Sequence, residues 1–295
     1  MEVRPFERRD FLALDEAGGH ARLFGENIMK WVREGYVREA DCFVFENDEA
    51  LVGGLCFNDD SEEERGIFDF ALTCINEEGG ALLEQAVKLG AKPATRKISY
   101  NLCDNTDQFS DIRSIFLDAG FVVAQQKIRY IRDNPFPPDY PGPLSFRSIA
   151  ETGENAFVKM VELVTAGSFG GQQVSEAMRF GNSVAAREYI DSLKEIDFNP
   201  HWWLIGFDQG KPIGLVLPQR FSDSEGTINY VGVLPNARGQ GYSLHLLAEG
   251  TRILSKSGIT KIYADIDSSS KPLAASLELL GYSFDTEEAV LTKSF

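Results

Sequence analysis

Ten residues, Leu234-Pro235-Asn236-Ala237-Arg238-Gly239-Gln240-Gly241-Tyr242-Ser243, carry the clearest chemistry in this sequence. They lie between an apolar, strand-like stretch (Thr227-Ile228-Asn229-Tyr230-Val231-Gly232-Val233) and a segment with helical spacing. That segment puts Leu244, Leu247, Ala248, Thr251 and Leu254 on one face, and Gly258 is placed to end it. A glycine-rich turn entering a helix aims several unpaired backbone N–H groups at one point, and the helix dipole adds positive potential there. That combination suits a diphosphate. Gly239 and Gly241 let the backbone approach oxygen atoms with no Cβ in the way, and Arg238 adds charge. A nucleotide P-loop would need Gly-Lys-Ser/Thr, and a dinucleotide fingerprint a third glycine where Leu244 stands.

Three carboxylates stand close enough in sequence to serve as a general base: Glu225 before the strand, and Asp265 and Asp267 on the next one. Asp265 and Asp267 alternate with Ile262, Ala264 and Ile266, so they share the opposite face. The plain alternative for each is a solvated strand face. Tyr242, Tyr263 and Tyr282 read as structural, His245 as helix packing, and Trp202 and Trp203 as anchors of a strand start.

The elements that must position these groups come in two sets. Five prolines in Asp133–Pro143 make an extended, stiff linker that divides 1–132 from 144–295. Each half opens on a short strand ending in Arg (Val3-Arg4 and Phe146-Arg147), followed by a helical region and an apolar hairpin. Gly53 and Gly214 are 161 positions apart, and the same offset brings Ile67 onto Ile228, Gly80 onto Gly241 and Gly120 onto Gly281. The opening strands are offset by only 143, so the second half holds about 18 additional residues within Ala156–Asn199. Nothing in Ser168-Phe169-Gly170-Gly171-Gln172-Gln173 names a ligand. The pattern predicts a mixed α/β layer fold built twice, each copy a mixed central sheet flanked by helices.

Composition narrows the classes. The 295 residues are 43% hydrophobic and carry a net charge of −16. That balance disfavours nucleic acid and suits a cationic partner. Apolar runs are far shorter than the roughly 20 residues that span a bilayer, and no signal peptide is visible, which predicts a cytoplasmic protein with no membrane partner. Cys42, Cys56, Cys74 and Cys103 have no metal-ligand spacing and read as buried free thiols, so no metal is expected.

Val231 through Ser243 resembles motif A of the GCN5-related N-acetyltransferases, Val-x-Val-x-Pro-x-x-Arg-Gly-x-Gly-x-Gly/Ala, with Ser243 in the last place. Ile262–Asp267 through Leu277–Tyr282 resembles motif B. The resemblance implies two tandem acyl-CoA N-acyltransferase folds, acetyl-CoA as cosubstrate and an amine acceptor, in a monomer or homodimer. It implies that the amides of Arg238, Gly239, Gln240, Gly241, Tyr242 and Ser243 hold the pyrophosphate. Val231 and Val233 would pair with the pantetheine arm, and an amide near Val233 would polarise the thioester carbonyl. Ser270 stands where an Asn is common and suits an N-cap. Leu277 stands where many members carry the Tyr that protonates the departing thiolate. In the first half, Glu77 and Glu78 fall where Arg238 and Gly239 stand, and Cys74 where Pro235 does, so that copy is expected to have lost diphosphate binding. Mycothiol synthase is similar in pairing two such domains. A non-catalytic acyl-CoA-binding regulator is the other reading.

Overall fold

The structure is a computed structural model that describes residues 2–17, 19–47, 50–73, 78–104, 108–134, 136–165, 182–195 and 197–295. Glu77, Cys74 and Ser168–Gln173 lie outside these residues. The chain forms two compact units, Met1–Gln126 with Glu288–Phe295, and Lys127–Glu287. Residues 127–132 and 288–295 therefore fall on the other side from where the proline-rich linker would put them.

In the first unit, β1 (Glu2–Pro5), β2 (Cys42–Glu46), β3 (Leu51–Asp59) and β4 (Glu64–Leu72) pair antiparallel in that order. Next, β5 (Lys97–Cys103) runs parallel to β4 and antiparallel to Glu288–Ser294, the end of β12 (Ser283–Ser294). Helices α1 (Asp10–Ala17) and α2 (Gly19–Glu34) bury Leu14, Phe24 and Ile28 with Cys42 and Cys56. Helices α3 (Gly79–Gly90) and α4 (Phe109–Asp118) pack with Phe57, Phe70, Leu72 and Phe116. Cys42 and Cys56 are buried free thiols and Cys103 is a partly buried one.

The second unit repeats this plan. Its strands are β7 (Ser145–Ser148), β8 (Leu204–Asp208), β9 (Lys211–Arg220) and β10 (Glu225–Val233), again antiparallel in order. β11 (Lys261–Asp267) runs parallel to β10 and antiparallel to Lys127–Asp133, the latter part of β6 (Val122–Asp133). The β8–β9 hairpin turns on Gln209 and Gly210, both at positive φ (47° and 78°), as a two-residue hairpin of matching twist requires. Helices α5 (Ile149–Thr152), α6 (Glu154–Thr165) and α7 (Asn182–Lys194) precede the hairpin. Helix α8 (Tyr242–Lys256) links β10 to β11, and α9 (Lys271–Leu279) follows. Phe157, Leu215 and Leu217 are fully buried in this core, each worth roughly 1.5–3 kcal/mol of burial. Gly258 ends α8 in the left-handed region (φ 95°), with Ile259 N–H on Leu254 O at 3.1 Å and Gly258 N–H on Ser255 O at 3.2 Å. Among the described residues, no helix is long and apolar enough to cross a membrane.

The duplication extends to features not visible as residue identities. A β-bulge interrupts β4 between Ile67 and Asp69 and β10 between Ile228 and Tyr230, so Phe68 and Asn229 are the additional residues, 161 positions apart. The two parallel pairings each span three positions, Glu64–Gly66 against Lys97–Ser99 and Glu225–Thr227 against Lys261–Tyr263, and then open. A Cβ on Gly53 would lie 2.1 Å from Ala71 O, and one on Gly214 would lie 2.3 Å from Gly232 O. Those obstacles are backbone atoms and cannot swing aside. Gly214→Ala is therefore expected to force β9 from β10 at Val233 and to cost about 1–3 kcal/mol. Faster amide exchange across Tyr230–Val233 is the measurement.

Candidate active site

Beyond Thr227, β10 and β11 no longer pair, and a wedge opens between them. Amides along a strand alternate in direction. Leu234 N–H donates to Ile213 O of β9 at 2.9 Å, so the N–H and C=O of Val233 face the wedge. The bulge before Tyr230 bends the strand and ends its pairing with β11. An extended chain lying in the wedge would find the edge groups of Val231 and Val233 unmatched by β11.

Past Val233, Pro235–Ala237 makes a single 3-10 turn and Arg238 is extended. Gly239 and Gly241 both take φ of 77°, and a Cβ at either would meet no atom within 4 Å, so the concave side of the loop is open. Gly241 is the N-cap of α8, and no side chain caps that end. A 15-residue helix thus starts with its first N–H groups turned to open space, with roughly half an elementary charge of positive potential behind them. This arrangement fits a diphosphate. The opening is fixed from two sides: Ser243 Oγ lies 3.1 Å from Ser276 Oγ on α9, and Tyr242 Oη donates to Asp208 in the hairpin turn at 2.6 Å. Ser270 is the N-cap of α9, also without a side-chain cap bond.

Arg238 behaves differently from the sequence expectation. Its guanidinium donates to Val233 O and to Val164 O at the end of α6, both at 3.1 Å. Its side chain fastens the end of β10 to α6, and its backbone remains with the loop. Spacing along the sequence specifies the backbone position and not this side-chain direction.

The three candidate carboxylates are not brought together. Glu225 accepts the Tyr263 hydroxyl at 3.1 Å at the closed end of the wedge. It lies eight positions before Val233, roughly 26 Å along the strand at about 3.3 Å per residue. That distance removes Glu225 as a base for chemistry at Val233. Asp265 accepts two bonds from Arg129, at 2.8 and 3.2 Å, and is engaged as a paired carboxylate. Asp267 ends β11 at the open side of the wedge and accepts the Ser269 amide at 2.9 Å and the Ser269 hydroxyl. Tyr263 and Tyr242 serve as donors to Glu225 and Asp208, and Tyr282 bonds Thr251 at 2.8 Å. His245 packs against Tyr140 at 5.3 Å, and burial lowers its imidazole below the ordinary value. Leu277 is fully buried, and Trp203 is a core side chain.

Tyr230 is the residue that sequence reasoning passed over. It sits three positions before Val233 on the open part of β10, with the Tyr189 ring of α7 at 5.6 Å. Burial raises its hydroxyl above the ordinary tyrosine value, and Thr165 and Arg238 are its polar neighbours. The signal for it was the bulge, which re-aims the side chains that follow. Among the described residues, no group of His, Cys, Asp or Glu side chains is arranged to hold a metal.

This wedge, with its bulged strand and glycine-rich helix start, defines an acyl-CoA N-acyltransferase fold, present in both units. Residues 173–282 match the model of the acetyltransferase (GNAT) family. No curated protein matches the chain. Among solved structures, a GCN5-related N-acetyltransferase from Sphaerobacter thermophilus is 15% identical, with 99% of this chain and 95% of that one covered and a TM-score of 0.61. A tandem GNAT protein from the clavulanic acid biosynthesis pathway is 14% identical, with 99% and 98% covered and a TM-score of 0.51. A GCN5-related N-acetyltransferase from Kribbella flavida is 13% identical, with 94% and 96% covered and a TM-score of 0.52. At these identities the likeness is one of fold.

Proposed function

We propose that the second unit transfers the acetyl group of acetyl-CoA to a primary amine of a small molecule or peptide by direct attack. The observation that carries this reading is the uncapped start of α8 behind Gly239 and Gly241, set beside the open edge of β10. Acetyl-CoA supplies the activated acyl thioester. The amides of Arg238–Ser243 hold its diphosphate, and the Val231 and Val233 edges align the pantetheine arm. The Val233 N–H polarises the thioester carbonyl and stabilises the oxyanion that forms on attack. Asp267, at the open end of the wedge, accepts the ammonium proton directly or through water. Tyr230 stays protonated at neutral pH because burial raises its hydroxyl, and it supplies the proton to the departing thiolate. The first unit, 1–126 with 288–295, is the degenerate copy, and the second, 127–287, which includes the 133–143 linker, is the catalytic one, in a cytoplasmic protein.

Two features support the reading that the first unit has lost diphosphate binding, its backbone as well as its charge. There α3 begins at Gly79, and Glu78 is right-handed helical where Gly239 is left-handed. A Cβ on Gly80 would lie 2.7 Å from Asp118 of α4, so the glycine positions are packed and not open.

The buried Leu277 favours the second reading, a non-catalytic acyl-CoA-binding regulator. Release of CoA thiol with a panel of amines separates the two. Turnover is expected, whereas acetyl-CoA binding with no acetylated product across the panel replaces the enzyme with the regulator. Tyr230→Phe and Asp267→Asn are each expected to lower kcat by about 100-fold or more with acetyl-CoA affinity unchanged. Unaltered kcat in either variant removes that residue from the chemistry.

A further inference from the structure

A buried relay of amides holds the bulge that precedes Tyr230. Leu215, Leu217 and Gln219 alternate along β9 and share one face. The two leucines are fully buried, and Gln219 lies in the same row at 0% exposure. A carboxamide in such a place needs hydrogen bonds at both ends. Gln219 finds them on two other elements. Its Nε2 donates to Leu193 O in the last turn of α7 at 2.6 Å, and its Oε1 accepts from Asn229 Nδ2. Asn229 is the additional residue of the bulge, between the Ile228–Pro218 and Tyr230–Leu217 pairs. Leu193 O can only accept. Gln219 must therefore turn its nitrogen to α7 and its oxygen to Asn229, and Asn229 must turn its nitrogen inward. One carbonyl at a helix end thus sets the direction of two side-chain amides in series.

The same helix touches the next residue of β10. Tyr189 and Leu193 stand one turn apart on α7 and share a face. The Tyr189 ring meets the Tyr230 ring at 5.6 Å. Helix α7 and the bulge are therefore joined twice, through Leu193–Gln219–Asn229 and through Tyr189–Tyr230. A ring contact is non-directional and lets a phenol slide, whereas the amide relay is directional and fixes the residue next to it. The first copy has a bulge without such a relay. There, 161 positions earlier, Asn58 stands for Gln219 and Phe68 for Asn229. Asn58 Nδ2 donates to Asp60 at 3.2 Å, and Phe68 meets Trp31 of α2 edge-on at 5.0 Å. That bulge, between Ile67 and Asp69, rests on ring packing. A bulge thus forms without buried amides, and what the relay adds in the second unit is direction.

We infer that Gln219 is a positioning residue of the second unit, which acts through Asn229 and the bulge to set the placement of Tyr230 beside the open edge of β10. This role presupposes the acetyl transfer proposed above. Gln219 is buried and works at a distance from the reacting atoms, so its loss slackens the bulge without touching the glycine-rich start of α8. Misplacing a reacting group by about 1 Å costs a reaction of this kind up to about 100-fold.

The test is steady-state turnover of acetyl-CoA by the full-length protein with n-butylamine, tyramine, spermidine and trialanine, continued with whichever is acetylated fastest, and acetyl-CoA affinity is read separately by calorimetry. Gln219→Met keeps the side-chain length and removes both hydrogen bonds. It is expected to lower kcat about tenfold or more and to leave the acetyl-CoA Kd within about twofold. Asn229→Ala cuts the relay at a half-buried residue and is expected to do the same; it decides the matter if Gln219→Met protein does not fold. Added to Tyr230→Phe, Gln219→Met is expected to lower kcat by no more than about twofold, because no hydroxyl is left to position. An equal loss in both backgrounds marks a general structural role and overturns the inference. Parent-like kcat in Gln219→Met protein with native far-UV dichroism also overturns it, and leaves the reaction standing. No turnover of any of the four amines by the parent overturns the reaction and this role together.

Discussion

Gly241→Glu protein is expected to bind acetyl-CoA at least a hundredfold more weakly than the parent. Two effects act together. Gly241 holds φ of 77°, a conformation that costs an L-residue about 1–2 kcal/mol. The new carboxylate then faces the diphosphate position, where two like charges about 4 Å apart repel by about 4 kcal/mol at a surface-like dielectric. Half of that repulsion plus the backbone term exceeds two decades, at about 1.4 kcal/mol per decade. No atom lies within 4 Å of a Cβ at this position, so the side chain fits and the unit stays folded. Gly241→Ala isolates the backbone term and is expected to lose about tenfold. Replacing Glu77 and Glu78 together leaves the affinity as it was. Calorimetric titration with acetyl-CoA reads all three, and undiminished binding in Gly241→Glu protein removes the second unit as the site.

Arg65→Met is expected to destabilise the first unit by about 1–3 kcal/mol, because it leaves Gly90 O and one Asp41 oxygen without their buried donor, while Arg38 and Lys92 still pair with Asp41 and Asp59. Arg65 is 2% exposed. Its guanidinium donates to Asp41 at 2.6 Å, to Asp59 at 2.9 Å and to Gly90 O. It also lies 4.8 Å from the Phe57 ring centre. Three acceptors on three different segments converge on one planar fork, and a thioether satisfies none of them. Arg65→Lys keeps the charge but not the fork, and is expected to fall between parent and Met. The readout is hydrogen exchange of β4 amides, which should quicken in the first unit while α8 in the second keeps its protection. Equal protection of β4 in Arg65→Met and parent protein would show that the cluster contributes nothing to stability.

Much of the site's backbone was legible in the sequence. Gly239 and Gly241 announced a turn that brings bare backbone to the start of a helix, and that turn is there, with both glycines at φ 77°. The repeat offset announced a second copy, and the bulges at Phe68 and Asn229 obey the same 161 positions. What stayed hidden depends on tertiary geometry. The direction of a guanidinium is chosen by nearby carbonyls, so Arg238 could not be assigned to Val233 O and Val164 O from spacing. Glu225 was placed correctly in sequence but at the wrong end of its strand for chemistry, because nearness along the chain ignores the length of β10. The role proposed for Tyr230 follows from a one-residue bulge that no residue type advertises. Strand partnership across long separations was equally hidden: alternating apolar residues describe β6 and β12 as strands without saying which sheet each half joins.

That last feature bears on how the protein is made. The first unit's sheet needs Glu288–Ser294 beside β5, and about 185 residues separate Cys103 from Glu288. At about 5–20 residues per second of synthesis, the edge of β5 emerges from the ribosome about 10–40 s before its partner exists. The early chain therefore waits with an unpaired strand, an invitation to wrong pairing, and completing its fold is coupled to synthesis of the whole second unit.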